Sequence, residues 1–137
     1  MKIKFPLMIL GYSTKMVFST EDDMGHVCFP IFFDPEKAEA YRVFFAREHH
    51  QALEIYIIQS GERAQSFFRY LLTIDPGLQE VVVDPPPPVD GKKGGHPIPY
   101  PDFLEALHRQ RSRRRRARRR IRRKTGDNDR PIHTKKD

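Results

Sequence analysis

The sequence predicts an α+β domain in which two helices pack on a mixed sheet of about five strands, followed by a basic C-terminal extension. Apolar runs rich in Val, Ile and Phe alternate with turn residues, and two segments repeat apolar residues at spacings of three and four. The 137 residues suffice for one domain. The predicted order is β-β-β-α-β-α-β, a pattern typical of helices layered on a sheet.

The first three strands are predicted before residue 34. Residues 5–10 and 15–19 are apolar and flank "GYST", which indicates a hairpin with Gly11 in its turn. The third strand is "HVCFPIFF", residues 26–33. Because Pro30 has no amide donor, this strand should be bulged, lie at an edge, or turn Pro30 to an unpaired side.

The first helix is predicted over residues 35–48. Asp34 is a favourable N-cap and Pro35 suits the first helical position. Ala38, Tyr41 and Phe45 follow at helical spacing and should face the core.

The second half of the domain repeats a strand and a helix. Residues 52–59, "ALEIYIIQ", read as a strongly apolar central strand. Ser60 should cap a helix over 61–73, "DPG" should end it, and residues 78–83 should form the last strand.

Charge and proline content divide the chain into four predicted regions. Residues 1–84 form the compact domain, 85–101 a Pro/Gly-rich linker that begins with a stiff "PPPP", 102–124 an Arg-rich helical segment, and 125–137 a disordered tail. Residues 1–107 hold ten Lys/Arg and fifteen Asp/Glu, whereas 108–137 hold fifteen and three. Residues 1–107, with a charge of −5, are thus joined to an extension of +12, which points to a polyanionic partner for the extension.

The Arg-rich segment is predicted to bind nucleic acid. Asp102 can cap it, with Glu105 in a capping-box position, while like charges at i,i+4 should leave the helix marginal without an anion. Guanidinium binds phosphate with two parallel donors, and nothing in the run reads bases, so binding should lack sequence preference. RNA is favoured over DNA because arginine-rich segments often fold on binding structured RNA. The predicted contact residues are Arg111, Arg113, Arg114, Arg115, Arg116, Arg118, Arg119, Arg120, Arg122, Arg123 and Lys124.

Other roles for the basic run are a contact with an anionic membrane or protein, a purely solubilising or localising role, or no specific role. It could also fold back on the acidic loop Glu21, Asp22 and Asp23. No run reaches the ~20 apolar residues of a membrane span, and the expected location is cytoplasmic.

The sequence indicates no catalytic residue, metal site or cofactor, and we expect a protein that is not an enzyme. The single cysteine, Cys28, reads as a packing residue, and His49 and His50 as helix-end residues. Ser60 lacks a nucleophile-elbow pattern, and "GKKGG" at 91–95 lacks the strand-to-helix context of a phosphate loop.

"FPIFFDPEKAEAYRVFF" resembles the strand–turn–helix of the SseB-like N-terminal domain family, and the later strand–"SGE"–helix–"DPG"–strand order is similar in outline. The resemblance covers residues 5–84. It implies secretion-associated or protein-interaction roles and provides no catalytic residue. A protein-interaction adaptor is therefore the alternative function, with the 1–84 domain as the surface for a protein partner.

Overall fold

The computed structural model describes residues 1–13, 16–21, 24–89 and 94–133, with the side chains of the last helix described as far as residue 121. These residues form a mixed sheet of six strands and three helices, which confirms the α+β class. The elements are β1 (Leu7–Gly11), β2 (Thr20–Glu21), β3 (Val27–Phe32), α1 (Pro35–His49), β4 (Glu54–Ile58), α2 (Gly61–Ile74), β5 (Leu78–Val83), β6 (His96–Pro99) and α3 (Tyr100–His133).

The strands lie in the order β4-β1-β3-β5-β6, and β2 pairs with the start of β3. β1 runs antiparallel to both β3 and β4, whereas β3 and β5 are parallel and β6 returns antiparallel to β5. The parallel pair is possible because a long connection, α1-β4-α2, separates β3 from β5.

Strand alternation divides the core between the two faces of the sheet. On β1, Leu7 and Ile9 pack towards α2 and α3, while Met8 and Leu10 pack towards α1. A period of two places neighbouring residues on opposite faces, so a run of five buried residues serves both layers.

Side-chain caps begin both predicted helices, as the sequence indicates. Asp34 accepts a hydrogen bond from the Glu36 amide at 2.9 Å, and Ser60 accepts one from the Arg63 amide at 3.3 Å. Asp84 also stabilises the turn before α1: its Oδ1 accepts hydrogen bonds from the amides of Phe33 at 2.9 Å and Asp34 at 3.2 Å. The end of β5 is thereby tied to the turn between β3 and α1.

The predicted hairpin differs from the structure. Residues 14–15 lie outside the described residues, and the second strand is Thr20–Glu21, paired with β3, rather than 15–19. Residues 16–18 nevertheless return antiparallel to the end of β1, since a bridge joins Gly11 to Val17 and the Phe18 amide donates to the Leu10 carbonyl at 3.0 Å. Gly11 is required for space, since a Cβ there would lie 2.7 Å from Tyr56 Cε2.

The placement of β4 corrects one sequence expectation, and that of β3 excludes one of the three alternatives given for Pro30, the edge strand. Residues 52–59 were expected to be central, yet β4 lies at an edge and Ile57 is 56% exposed. β3, which carries Pro30, lies inside the sheet, and its pairing with β5 is irregular at Val27/Cys28. An apolar run predicts that a strand is buried, but it does not distinguish a central strand from an edge strand. In β4 full burial is limited to Ile58.

The folded core continues past Asp84, where the sequence placed the domain boundary. β6 forms within the predicted linker, and Tyr100, Phe103 and Leu107 of α3 belong to the main core cluster. α3 begins at Tyr100, so Asp102 lies in its first turn instead of capping it. The helix extends through the Arg-rich segment to His133, and residues 134–137 lie outside the described residues.

Candidate nucleic-acid interface

The first turns of α3 are anchored in the core by aromatic side chains. Phe103 is fully buried, with its ring centroid 4.9 Å from that of Phe68 in an edge-on contact. The Tyr100 hydroxyl donates to the Phe68 carbonyl at 2.5 Å, and burial raises the pKa of Tyr100. These contacts fix the direction in which α3 leaves the domain.

Gln110 attaches the helix to the N-terminal segment. Its Oε1 accepts the Ile3 amide at 2.9 Å, and its Nε2 donates to the Ile3 carbonyl at 2.8 Å. Both polar groups of Ile3, which precedes β1, are satisfied by one side chain. The Arg-rich run therefore starts directly after a fixed point.

Arg111 differs from the other predicted contact residues because it is built into the domain. Its guanidinium donates to Oε1 of Gln65, a residue that is only 5% exposed. Its stem crosses the start of α2 at Gly61, where a Cβ would lie 3.2 Å from Arg111 Cγ. Arg111 thus orients α3 on α2 as well as adding positive charge.

We call residues 100–112 the inner segment of α3 and residues 113–121 the outer segment. Every residue of the outer segment is exposed. At 100° per residue its arginines point in all directions around the helix axis. They are Arg113, Arg114, Arg115, Arg116, Arg118, Arg119 and Arg120.

Three of the predicted residues, Arg122, Arg123 and Lys124, lie on the helical backbone beyond the side chains that the structure describes. Of the acidic loop proposed as an internal partner, Asp22 and Asp23 lie outside the described residues. Glu21 borders a cavity on the opposite layer, beside Cys28 and Tyr41.

The structure adds two basic residues that sequence reasoning missed. A crevice of about 210 Å³ lies between α2 and α3, and Arg69 of α2 and His108 of α3 line it together with Arg111 and Arg115. The sequence offered no signal for this grouping beyond the four-residue spacing of Gln65 and Arg69 on the predicted second helix. Only the docking of α3 on α2 brings these positions together.

An apolar cavity of about 290 Å³ lies on the other face of the sheet, beside α1. Prolines of the 85–88 run and Pro97 form much of its wall, and Cys28 and Glu80 reach it from β3 and β5. The Cys28 thiol donates to Glu80 Oε1 at 3.4 Å. The "PPPP" run therefore covers part of the sheet rather than acting as a free spacer.

Two further titratable groups, His49 and Glu39, have neighbours within α1. The His49 ring lies 4.4 Å from the ring of Phe45, and a hydrogen bond from Arg42 lowers the pKa of Glu39. In the part of the chain that the structure describes, no group of three His, Cys, Asp or Glu side chains is arranged to hold a metal ion. Nor does any helix there combine the length and apolar character needed to cross a membrane.

Comparison with known proteins finds no family model that matches the chain and no curated protein with significant sequence similarity to it.

Proposed function

We propose that this protein binds RNA through the outer segment of α3, without sequence preference and without catalysing a reaction. The observation that supports the proposal is a helix with exposed arginines on all sides, held at a fixed point by Gln110 and Arg111. Such a surface cannot pack on a protein core, because each buried guanidinium would need a partner.

Phosphate contacts supply the free energy in this proposal. Each arginine that neutralises a phosphate releases a condensed counterion. A plot of log affinity against log salt concentration should therefore have a slope of about −0.7 per contact on a single strand. RNA is the preferred polymer because arginine-rich segments commonly recognise structured RNA. The helix is already oriented by its inner segment, which lowers the conformational entropy lost on binding.

The test compares two full-length variants of equal net charge. The first replaces five outer-segment arginines by Gln, at positions Arg113, Arg116, Arg118, Arg119 and Arg120. The control replaces five exposed cations of the domain by Gln, at positions Lys2, Lys4, Lys37, Arg47 and Arg63. Binding to a mixed-sequence RNA and to DNA of the same sequence is measured across a salt series.

We expect the first variant to lose affinity at least about hundredfold at low salt and its salt slope to fall by about 3 to 4. The control should keep most of the affinity. Equal losses in both variants would show that net charge alone is responsible. Absence of RNA binding by the unmodified chain would refute the proposal outright.

The alternative proposal is an SseB-like protein adaptor, in which the basic extension affects only solubility or localisation. The edge strand β4 favours it, since Ile57 is 56% exposed and, among the residues that the structure describes, β4 pairs with β1 alone. In that case a protein partner would be lost on Ile57→Glu and retained in the five-arginine variant.

A further inference from the structure

Each residue that lines the crevice between α2 and α3 carries a group that can donate a hydrogen bond to an anion. Its walls carry three guanidinium groups, an imidazole, a hydroxyl and a carboxamide, contributed by Arg69, Arg111, Arg115, His108, Ser112 and Gln65. No acidic residue is among the described residues that line it. We propose that this crevice binds one phosphate group, and that in the RNA complex this is a phosphate of the bound strand.

Two helix faces converge to form this site. His108, Arg111, Ser112 and Arg115 are spaced by three and four residues, so they share one side of α3. On α2, Gln65 and Arg69 are four residues apart and face them. The site therefore lies where α3 docks on α2, and Arg115 is its contribution from the outer segment.

One cation of the crevice is fixed before any ligand arrives. Gln65 is nearly buried, and its Oε1 accepts from the Arg111 guanidinium. This bond uses one of five N–H donors of Arg111, and the others remain available to a tetrahedral oxyanion. Gln65 is thus a positioning residue for the site.

The ion pairs that the structure describes leave the positive charge of the crevice without a carboxylate partner. In the described residues, the arginine–carboxylate pairs are Arg42–Glu39 and Arg109–Glu105, and neither involves Arg69 or Arg115. Three guanidinium groups around a small space repel one another, and a bound anion removes that repulsion. Phosphate suits the site because it offers several acceptor oxygens to guanidinium forks from different directions.

The phosphate site rests on the proposed function and would determine where a bound RNA strand lies on the domain. One phosphate in the crevice would place the adjacent phosphates along the outer segment, where Arg116 and Arg119 follow Arg115 on the helix. Binding would remain independent of base sequence, because every nucleotide has the same phosphate.

The first experiment tests the crevice without RNA. The side-chain Nε signals of Arg69, Arg111 and Arg115 in the full chain are followed by NMR as sodium phosphate is added, against sodium chloride of equal ionic strength. We expect saturable shifts with phosphate only, lost in Arg69→Gln and kept in Arg63→Gln. Both replaced arginines are exposed on α2, so each variant should fold and their net charges are equal. No saturable shift, or equal behaviour of the two variants, would overturn the site.

The second experiment uses RNA with and without a 5′-phosphate. Arg69→Gln should weaken binding about tenfold, the usual size of a lost charge-assisted contact, and Arg63→Gln less than about twofold. Equal affinity for the two RNAs would support an internal phosphodiester as the ligand, and preference for the 5′-phosphate a terminal one. Equal effects of the two variants on RNA binding would refute the role in RNA while leaving the proposed function intact. Phosphate binding without any RNA binding would support the site and refute the proposed function.

Discussion

The inner and outer segments of α3 share one helical backbone and differ in what surrounds it. In the inner segment, Tyr100, Phe103 and Leu107 are at most 1% exposed, whereas every residue of the outer segment is exposed. Nucleating a helix is costly and extending it is not, so the packed inner segment can support an extension that repels itself. The outer segment, which cannot pack on a protein core, is thus held in place by the inner segment, which is packed in it.

The largest difference between the segments should appear on truncating an apolar side chain in each. Phe103→Ala removes a fully buried ring and should lower the free energy of unfolding by about 3–5 kcal/mol. Ile121→Ala, at a site 64% exposed, should change it by less than about 0.5 kcal/mol. Chemical denaturation of both variants measures the two values. Similar values would mean that the inner segment is not anchored as described.

An intermediate effect is expected at the junction of the segments. Gln110→Ala removes both hydrogen bonds to Ile3, which should cost about 1–3 kcal/mol of unfolding free energy and speed hydrogen exchange at the Ile3 amide. Gln51→Ala, at an exposed position, is the matched control. Unchanged exchange at Ile3 in the first variant would show that Gln110 does not hold the N-terminal segment.

The smallest effect should come from one hydroxyl. Tyr100→Phe loses the bond to the Phe68 carbonyl and should cost about 1 kcal/mol, whereas Tyr70→Phe, at a site 60% exposed, should cost almost nothing. Melting temperatures of the two variants at neutral pH give the comparison. A Tyr100→Phe variant as stable as the unmodified chain would assign the anchoring to the ring alone.

The same tyrosine gives the anchored segment a pH dependence. Burial raises the pKa of Tyr100 above its ordinary value of 10.0, so the folded state retains a proton that the unfolded chain loses. The associated stability is complete below pH 10 and is lost as pH rises further towards the folded pKa. Tyr100→Phe should therefore flatten the alkaline decline in melting temperature. An unchanged decline would mean that another group, such as the buried Tyr41, controls it.

Local signals in the sequence were sufficient for the helix starts and several strands. Asp34 and Ser60 cap α1 and α2 as their side chains predict, because capping depends on residues within three positions. β5 was also located correctly, because a turn precedes it and a proline run follows it in the sequence. The candidate arginines were equally visible, since charge density is a property of composition.

The early domain boundary shows where local signals mislead. Proline content at 85–88 indicated a spacer, yet these prolines cover a cavity on the sheet, and β6 and α3 then complete the core. Arg69 and His108 could not be paired from the sequence, because they are 39 positions apart and meet only where two helices dock.

The sequence by itself determined the α+β class, the helix caps and the concentration of arginine in one segment, because propensity, capping and charge act over a few neighbouring residues. Only the tertiary structure decided that β4 lies at an edge, that α3 is anchored at Tyr100, Phe103 and Gln110, and that a cationic crevice exists beside it. These features depend on contacts between distant parts of the chain, and such contacts form only when the whole domain is packed.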